Sequence, residues 1–226
     1  MGCISPGGTE LMEGAVGGLN LAENSRILEI GCGEGDTLAR IAEKYGHECI
    51  GIDKSGELLK RAREKHAPRG PRLKFIDALA DSDALAPESA GQFDAIIMEC
   101  VLSVSGDPKA TLGEYAAMLK PGGYALISDL CKRGGRPDGL IGNARENGLR
   151  LISLDDHTAD LDSFAIQKIM EYGSLENYFN ATVPKGADRC DFFPAPTQSA
   201  TSEEARERTR PPGYFLAVFQ KCQLTV

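Results

Sequence analysis

The chain has 226 residues, of which 42% are hydrophobic, and its formal net charge is −8 at pH 7. This length fits one α/β domain with at most a small appendage, and the negative charge disfavours a nucleic-acid partner. No apolar run approaches the roughly 20 residues of a membrane helix, so we expect no membrane association. The seven cysteines form no CxxC pair, and no basic-then-apolar leader opens the sequence. Both observations favour a cytoplasmic location.

Predicted strands and helices alternate along the chain. Residues 1–25 are rich in glycine and hold one short predicted helix, TELMEGAV. Apolar, β-branched runs then predict seven strands, in the order RILEIG, CIGID, LKFID, FDAIIMEC, YALISDL, LRLISL and GYFLAVFQK. Their alternation with helices implies a parallel sheet with helices on both faces. The wholly apolar AIIM suits a strand that is buried on both faces.

Helical periodicity fills most intervals between the predicted strands. One helix is predicted by four apolar positions, Leu38, Ile41, Ala42 and Tyr45. Another is predicted by Leu112, Tyr115, Ala116 and Leu119. Asp107 is its expected N-cap, Pro108 fits its first turn, and LKPGG is expected to end it. The basic residues between 60 and 69 are mixed with Glu57 and Glu64, a pattern that predicts a solvated helix face.

The stretch RILEIGCGEGDTL, residues 26–38, places three glycines between a predicted strand and a predicted helix. Glycine allows positive φ and close approach of a ligand, and the N–H groups of a helix start favour an electron-rich ligand. The spacing is GxGxG, with Asp36 where a dinucleotide fold has its third glycine. Glu34 and Asp36 would repel a pyrophosphate. The loop therefore favours a ligand without phosphates that carries cationic groups.

Three acids come at the ends of the first three predicted strands: Glu29, Asp53 and Asp77. In an open parallel sheet, ligands bind beyond the carboxyl ends of the strands. A carboxylate at Asp53 can accept hydrogen bonds from both hydroxyls of a ribose, and Asp77 is expected within reach of an adenine amino group. Asp53 could alternatively cap the next helix, although Ser55 can also do so.

These motifs resemble those of the class I S-adenosylmethionine-dependent methyltransferases. The resemblance covers roughly residues 26–130 through LEIGCGEG, GIDKS, FIDAL, FDAIIMECVLS and LKPGGYALISD. It implies a Rossmann-like α/β fold, a seven-stranded sheet of order 3-2-1-4-5-7-6 whose last strand is antiparallel. GYFLAVFQK is the candidate for that strand. The resemblance further implies that the cofactor is S-adenosyl-L-methionine and that the protein is an enzyme that transfers the methyl group of this cofactor.

The resemblance also implies roles for individual residues. The loop Gly31, Cys32, Gly33 and Gly35 would pack against the methionine part, and Glu29 would support the loop and the ammonium group. Asp53 would hold the ribose, while Lys54, Asp77 and Ala78 would contact the adenine. Glu99 would lie near the methionine and the substrate mouth.

The acceptor is expected to be a small molecule. The [DN]PPY sequence used on base amines is replaced by Met98-Glu99-Cys100-Val101-Leu102-Ser103. This stretch is closer to quinone-ring methyltransferases and to arsenite methyltransferases, which carry a cysteine at the place of Cys100. Thiolate-assisted metalloid methylation, with Cys131 and Cys190 as companions, is one alternative. A buried structural role for Cys100 is the other reading, and we expect no resident metal.

Several residues remain candidates for acceptor contact or proton removal. Ser103, Asp129 and Arg133 are expected near the substrate, and a base is needed only if the nucleophile is protonated. Glu99, Asp129 and His157 are the candidate bases, although DDHTADLD also looks like a helix start. A non-catalytic protein that binds S-adenosylmethionine stays open as a second class of function. The acceptor atom and the oligomeric state are left open.

The chain divides into four segments of one predicted domain. These are an N-terminal cap (1–25), a cofactor-binding core (26–155), a helix with a lid-like excursion (156–212) and the C-terminal strand (213–226). Long excursions in compact domains are usually either functional lids or disordered segments, and a disordered excursion remote from the cofactor is the alternative to a lid here. Phe192 and Phe193 would cover an acceptor, the glycines of the cap would let it move, and TSEEARERTRPP predicts a short exposed helix.

Overall fold

A computed structural model of the chain describes residues 6–70, 72–77, 90–182 and 211–223. Its strands are β1 (Arg26–Ile30), β2 (Glu48–Asp53), β3 (Leu73–Asp77), β4 (Phe93–Glu99), β5 (Leu119–Cys131), β6 (Leu149–Asp156) and β7 (Gly213–Lys221). They form one sheet of order β3-β2-β1-β4-β5-β7-β6. Strand β7 runs antiparallel to both of its neighbours, while β3, β2, β1, β4 and β5 pair in parallel. The predicted strand order is confirmed.

The described helices connect these strands. They are α1 (Gly8–Gly18), α2 (Asp36–Tyr45), α3 (Gly56–His66), α4 (Pro108–Met118), α5 (Asp138–Glu146), α6 (Thr158–Tyr172) and α7 (Leu175–Thr182). Ser55 caps α3 by accepting from the Leu58 amide, and Asp107 caps α4 by accepting from two amides. Within the described ranges, no helix is long and apolar enough to cross a membrane.

The central strands are buried on both faces, as the AIIM run predicts. Ile96 and Met98 of β4 face one apolar cluster, which also contains residues of α4 and α5. Ala95 and Ile97 face the other cluster, which contains residues of α1, α2 and α3. Since successive side chains of a strand point to opposite faces, this alternation places helices on both sides of the sheet. All the carboxyl ends of the parallel strands therefore open at one edge between the two layers.

Helix α1 is firmly docked onto α2. Met12 and Val16 are buried in the core beneath α2. The nearly buried carboxylate of Glu13 accepts from Arg40 Nη2 at 2.6 Å and also pairs with Lys44. A Cβ at Gly17 would overlap the Tyr45 hydroxyl, so glycine at this position allows the two helices to approach closely. Gly17 thus serves packing in this structure, and the flexibility predicted from the glycines of the cap stays a prediction.

Two predicted boundaries need correction. Helix α4 ends at Met118, not beyond Leu119, because Leu119 pairs with Phe93 as the first residue of β5. The register between β4 and β5 shifts between Phe93 and Ala95, and the LKPGG segment is thereby included in β5 and does not form a loop before it. Strand β5 also continues to Cys131, one residue beyond the predicted YALISDL run, so Asp129 lies within it. Ala78, Cys190, Phe192, Phe193 and the predicted helix at 201–210 lie outside the described residues.

Candidate cofactor and acceptor site

The glycine loop joins β1 to α2 at the carboxyl edge of the sheet. Gly31, Gly33 and Gly35 have φ values of +70°, +54° and +76°, which L-residues with a side chain rarely adopt. The amides of Gly31 and Cys32 both donate to the Ile52 carbonyl, at 2.8 and 3.0 Å. The Cys32 thiol is buried in the core, so only the backbone of this residue can face a ligand.

The space available for a side chain differs among Gly31, Gly33 and Gly35. A Cβ at Gly35 would overlap the Phe75 ring, and one at Gly31 would lie 3.0 Å from Val101 Cγ2. A Cβ at Gly33 would meet no described atom within 4 Å. Gly35 is therefore required by packing within the protein, whereas Gly33 leaves an open side on which a ligand can approach the backbone.

We expect Gly35→Ala and Gly33→Ala to separate these two requirements. Gly35→Ala should reduce the free energy of unfolding by more than about 2 kcal/mol, because a strained φ and an overlap with Phe75 add. Gly33→Ala should cost only about 1–2 kcal/mol for the left-handed backbone, yet block ligand binding. Urea denaturation and calorimetry measure the two effects, and equal stability losses would contradict the distinction.

Asp53 and Asp77 lie side by side at the ends of β2 and β3. Asp53 Oδ2 accepts from the Gly33 amide at 2.8 Å, and its Oδ1 accepts from the Ser55 amide at 2.8 Å. Asp53 thus braces the glycine loop against the start of α3, while Ser55 is the helix cap. Each carboxylate oxygen retains acceptor capacity toward a ligand hydroxyl. The exposed Lys54 follows directly.

Glu29 and Glu99 bring two more carboxylates to the same edge. Glu29 is 2% exposed on β1, and its Oε2 atom has no hydrogen-bond partner among the described residues. Burial, reinforced by the charges of Glu99, Asp53 and Asp36, raises the pKa of Glu29 well above its usual value. Glu99, the last residue of β4, accepts from the Thr37 hydroxyl at 3.4 Å. A buried, unpaired carboxylate oxygen of this kind fits a cationic ligand group, such as an ammonium.

The acids inside the glycine loop itself turn away from this edge, which corrects one step of the sequence argument. Glu34 pairs with Arg61 at 3.4 Å and with Lys65 at 3.5 Å. Asp36 pairs with Lys65 at 2.7 Å and lies 3.3 Å from His66 Nε2. The basic face of α3, predicted to be solvated, therefore neutralises the loop. The negative charge that faces a ligand comes from the strand-end acids instead.

The segment at the expected substrate mouth follows β4. Cys100 has a φ of +52°, unusual for a residue with a side chain, and its amide donates to the Ser128 carbonyl at 2.8 Å. Asp129 is 4% exposed, and its Oδ2 accepts from the Ser103 amide at 2.9 Å. Burial raises the pKa of Asp129, although its hydrogen bonds with Ser103 and Leu130 oppose that shift. Asp129 thus fixes the segment after β4, and its predicted contact with a substrate stays a prediction.

An aromatic cluster packs against Cys100 at this end of the sheet. It comprises Cys100, Leu161, Phe164, Tyr178, Phe179 and Tyr214, drawn from the end of β4, from α6 and α7, and from β7. Tyr214 Oη donates to Ser128 Oγ at 2.8 Å, and both residues are buried. Leu11 of α1 packs against this cluster and also against the core beneath α2. The neighbourhood of the expected acceptor is therefore apolar and aromatic.

Arg133 and His157 lie near the carboxyl ends of β5 and β6, and each contacts an acidic side chain of α6. Arg133 Nη1 donates to Asp162 of α6 at 3.0 Å, and its Nε donates to the Pro211 carbonyl at 3.1 Å. His157 is the residue before α6, and its Nδ1 lies 2.7 Å from Asp160 Oδ2. The predicted helix start at His157 is confirmed. The predicted roles of Arg133 as a substrate contact and of His157 as a base stay predictions.

The cysteines do not form a cluster in the part of the chain that the structure describes. No group of three or more His, Cys, Asp or Glu residues there is arranged to hold a metal ion. Cys100 is buried and Cys131 is half-buried, and burial with the charges of Asp156 and Asp129 raises the pKa of the Cys131 thiol. A raised pKa opposes thiolate formation at Cys131. The described residues therefore offer no support for thiolate-assisted metalloid chemistry.

Two residues of the site could not be recognised from the sequence. Thr37, 2% exposed, connects the start of α2 to Glu99. His66 lies beneath the glycine loop, 3.0 Å from the Glu34 carbonyl oxygen. Each contact joins positions about 30 or 60 residues apart, and no local pattern marks them.

Comparison with known proteins finds similarity to methyltransferases. Residues 27–123 match the family described as Methyltransferase domain. The chain is 34% identical over 136 residues to phosphoethanolamine N-methyltransferase 1 of Zea mays, a match that covers 60% of this chain and 26% of that protein. It is 35% identical over 107 residues to a ubiquinone biosynthesis O-methyltransferase of Xanthomonas axonopodis pv. citri, covering 47% of this chain and 43% of that protein. The matched part thus spans less than half the length of these curated relatives.

The fold is shared more widely than the sequence. The structure of phosphoethanolamine N-methyltransferase 2 of Haemonchus contortus in complex with S-adenosyl-L-methionine superposes with a TM-score of 0.68. The superposition covers 98% of this chain and 54% of that chain, at 16% sequence identity. At this identity the likeness shows the fold alone, so chemistry must be argued from the site.

Proposed function

We propose that this chain carries a class I S-adenosylmethionine-dependent methyltransferase domain, which binds S-adenosyl-L-methionine and transfers the methyl group to a small-molecule acceptor. The observation that carries the proposal is the buried, unpaired Oε2 atom of Glu29 beside a glycine loop whose Gly33 is open to a ligand. A buried carboxylate needs a charged or hydrogen-bonding partner. An amino-acid ammonium supplies one, whereas a pyrophosphate would add repulsion.

Each part of the cofactor has residues suited to hold it. Glu29 and Glu99 would face the ammonium group, and the backbone around Gly33 would lie against the methionine part. Asp53 would accept hydrogen bonds from the ribose hydroxyls, and Asp77 with Lys54 would contact the adenine. Ala78, the remaining adenine contact expected from the sequence, lies outside the described residues.

The protein's contribution to transfer is positioning and exclusion of water. The bound cofactor supplies an activated methyl group, so alignment of the acceptor alone can lower the barrier by roughly 7–11 kcal/mol. The aromatic cluster around Cys100 supplies an apolar wall for the acceptor. Asp129 holds the segment that follows β4, and with it the mouth, in a fixed conformation. A protonated acceptor would in addition need a base, for which Glu99, Asp129 and His157 are the candidates.

The names of the curated relatives and the apolar surroundings of the site suggest which acceptors to test first. The curated relatives are named for phosphoethanolamine and for ubiquinone biosynthesis, so an amine and a phenol are the first acceptors to test. An aromatic, apolar neighbourhood suits a phenolic ring. A phosphorylated acceptor needs a cation, and Arg133, which follows β5, is already paired with Asp162.

A methyl-transfer screen tests the proposal. The purified chain is incubated with methyl-labelled S-adenosylmethionine and pools of amines, phenols and carboxylates, with arsenite plus thiol as a separate arm. We expect label in a small-molecule pool, and we expect calorimetry to show binding of S-adenosylhomocysteine but not of NAD. Absence of S-adenosylhomocysteine binding contradicts the proposal. Binding without transfer to any pool would instead favour a non-catalytic binding protein.

A further inference from the structure

His66 lies at a point where it can control the shape of the glycine loop. It is the last residue of α3 and is 6% exposed. Its Nε2 atom lies 3.0 Å from the Glu34 carbonyl oxygen and 3.3 Å from Asp36 Oδ1. Both partners are acceptors, so Nε2 carries the proton and donates toward them.

Both polar groups of the peptide between Glu34 and Gly35 are hydrogen-bonded, and His66 makes one of these two bonds. The carbonyl of this peptide accepts from His66, and its N–H donates to the Cys32 carbonyl at 2.8 Å. The peptide between Cys32 and Gly33 is held in the same way, because its N–H donates to Asp53 Oδ2 at 2.8 Å. The Gly33–Glu34 peptide, at the open side of the loop, therefore lies between two fixed neighbours.

His66 is better placed for this task than the charged residues around it. Arg61 and Lys65 also reach the loop, but their side chains are 37% and 40% exposed. Ion pairs at such exposure contribute little. The His66 ring is buried and lies 6.1 Å from the Phe75 ring, which fills the space beside Gly35. The buried hydrogen bond is thus the contact from α3 best able to hold the loop.

We propose that His66 is a positioning residue of the cofactor site. It holds the Glu34 carbonyl and so keeps the glycine loop in the conformation that accepts the methionine part of the cofactor. The effect on affinity rests on the proposed function, whereas the effect on the loop does not. His66 touches no reacting group in this assignment.

Three variants test the inference. His66→Phe removes the donor and keeps a ring, while His66→Gln keeps an N–H donor at a similar distance from the backbone. His47→Phe is the matched control, because His47 is also a buried histidine, stacked on Tyr45 at 5.9 Å, and it precedes β2 at the end remote from Asp53. All three are compared with the unmodified chain by calorimetry with S-adenosylhomocysteine, by steady-state kinetics and by hydrogen exchange.

We expect His66→Phe to weaken S-adenosylhomocysteine binding about tenfold, the effect of one buried hydrogen bond. The variant should raise the KM for S-adenosylmethionine more than it lowers kcat. In the absence of S-adenosylhomocysteine, it should also speed hydrogen exchange of the amides of residues 33–37. His66→Gln should restore most of the affinity, and His47→Phe should leave it unchanged.

Unchanged loop exchange in His66→Phe would overturn the inference. So would equal losses of affinity in His66→Phe and His66→Gln, since a restored N–H donor would then recover no affinity, or an equal loss in His47→Phe. If the unmodified chain does not bind S-adenosylhomocysteine, the proposed function fails. Exchange in the loop still decides the role of His66 in that case.

Discussion

Replacing Asp53 with alanine is expected to weaken S-adenosylhomocysteine binding by a factor of roughly 100 or more, while the chain remains folded. Its carboxylate accepts from the Gly33 and Ser55 amides and is expected to accept from the ribose as well. Hydrogen bonds to a charged group contribute roughly 1.5–3 kcal/mol each. The variant loses ribose contacts and the brace on the loop together. Calorimetry measures the affinity, and circular dichroism verifies the fold.

Asp107→Ala is a matched control for this prediction. Asp107 also accepts from two backbone amides, those of Lys109 and Ala110, but it caps α4. Its loss should cost about 1 kcal/mol of stability and leave the affinity unchanged. Wild-type affinity in a folded Asp53→Ala variant would show that both the ribose assignment and the brace are wrong.

Glu29→Gln is expected to stabilise the chain without ligand and to weaken cofactor binding. The folded pKa of Glu29 is raised by burial and by neighbouring acids. The folded state therefore favours the protonated carboxyl of Glu29. Its contribution to the free energy of unfolding is fully present below the pKa of the unfolded state and is lost as the pH rises through the pKa of the folded state. At pH 7 the glutamine side chain of the variant cannot ionise, so the variant avoids this loss of stability, which is on the order of 1 kcal/mol. The stability gap between variant and wild type should grow as the pH rises.

The binding effect of Glu29→Gln has the opposite sign. An ammonium group pairs with the ionised carboxylate, so wild-type affinity should fall as the pH drops through the raised pKa of Glu29. The variant should bind about tenfold or more weakly and lose this pH dependence. Urea denaturation and calorimetry between pH 5 and pH 8 measure both effects.

Glu13→Gln is the matched control, since Glu13 is a second nearly buried glutamate whose carboxylate is paired with Arg40 and Lys44. It should lose stability where Glu29→Gln gains it. A Glu29→Gln variant that is less stable than wild type at neutral pH would contradict our description of Glu29.

The strands could be predicted because their signals are local. Each strand is a short apolar run, and Asp53, Asp77 and Glu99 mark three of the strand ends in the sequence itself. The start of α4 was equally local, since Asp107 and Pro108 act within one turn. The end of α4 was not, because pairing of Leu119 with Phe93 overrides the helical periodicity.

The orientation of the acids could not be predicted, because it depends on distant partners. Glu34 and Asp36 turn toward α3, whose basic residues lie about 30 positions later in the chain. The sequence shows six acids at or near the loop without showing which of them face a ligand, namely Glu29, Glu34, Asp36, Asp53, Asp77 and Glu99. The glycines of α1 were ambiguous for the same reason, since the need for Gly17 arises from Tyr45 on another helix.

The place of β7 has a consequence for how the chain assembles. Strand β7 lies between β5 and β6, yet it is synthesised after the other six described strands. The contact from Gln220 to Tyr124 closes a separation of 96 residues, and such long-range pairing is slow to form. Until β7 arrives, β5 and β6 each present an unpaired edge. Exposed edges of this kind recruit strands from other chains, so the period before the last strand inserts is when a nascent chain is most prone to aggregate.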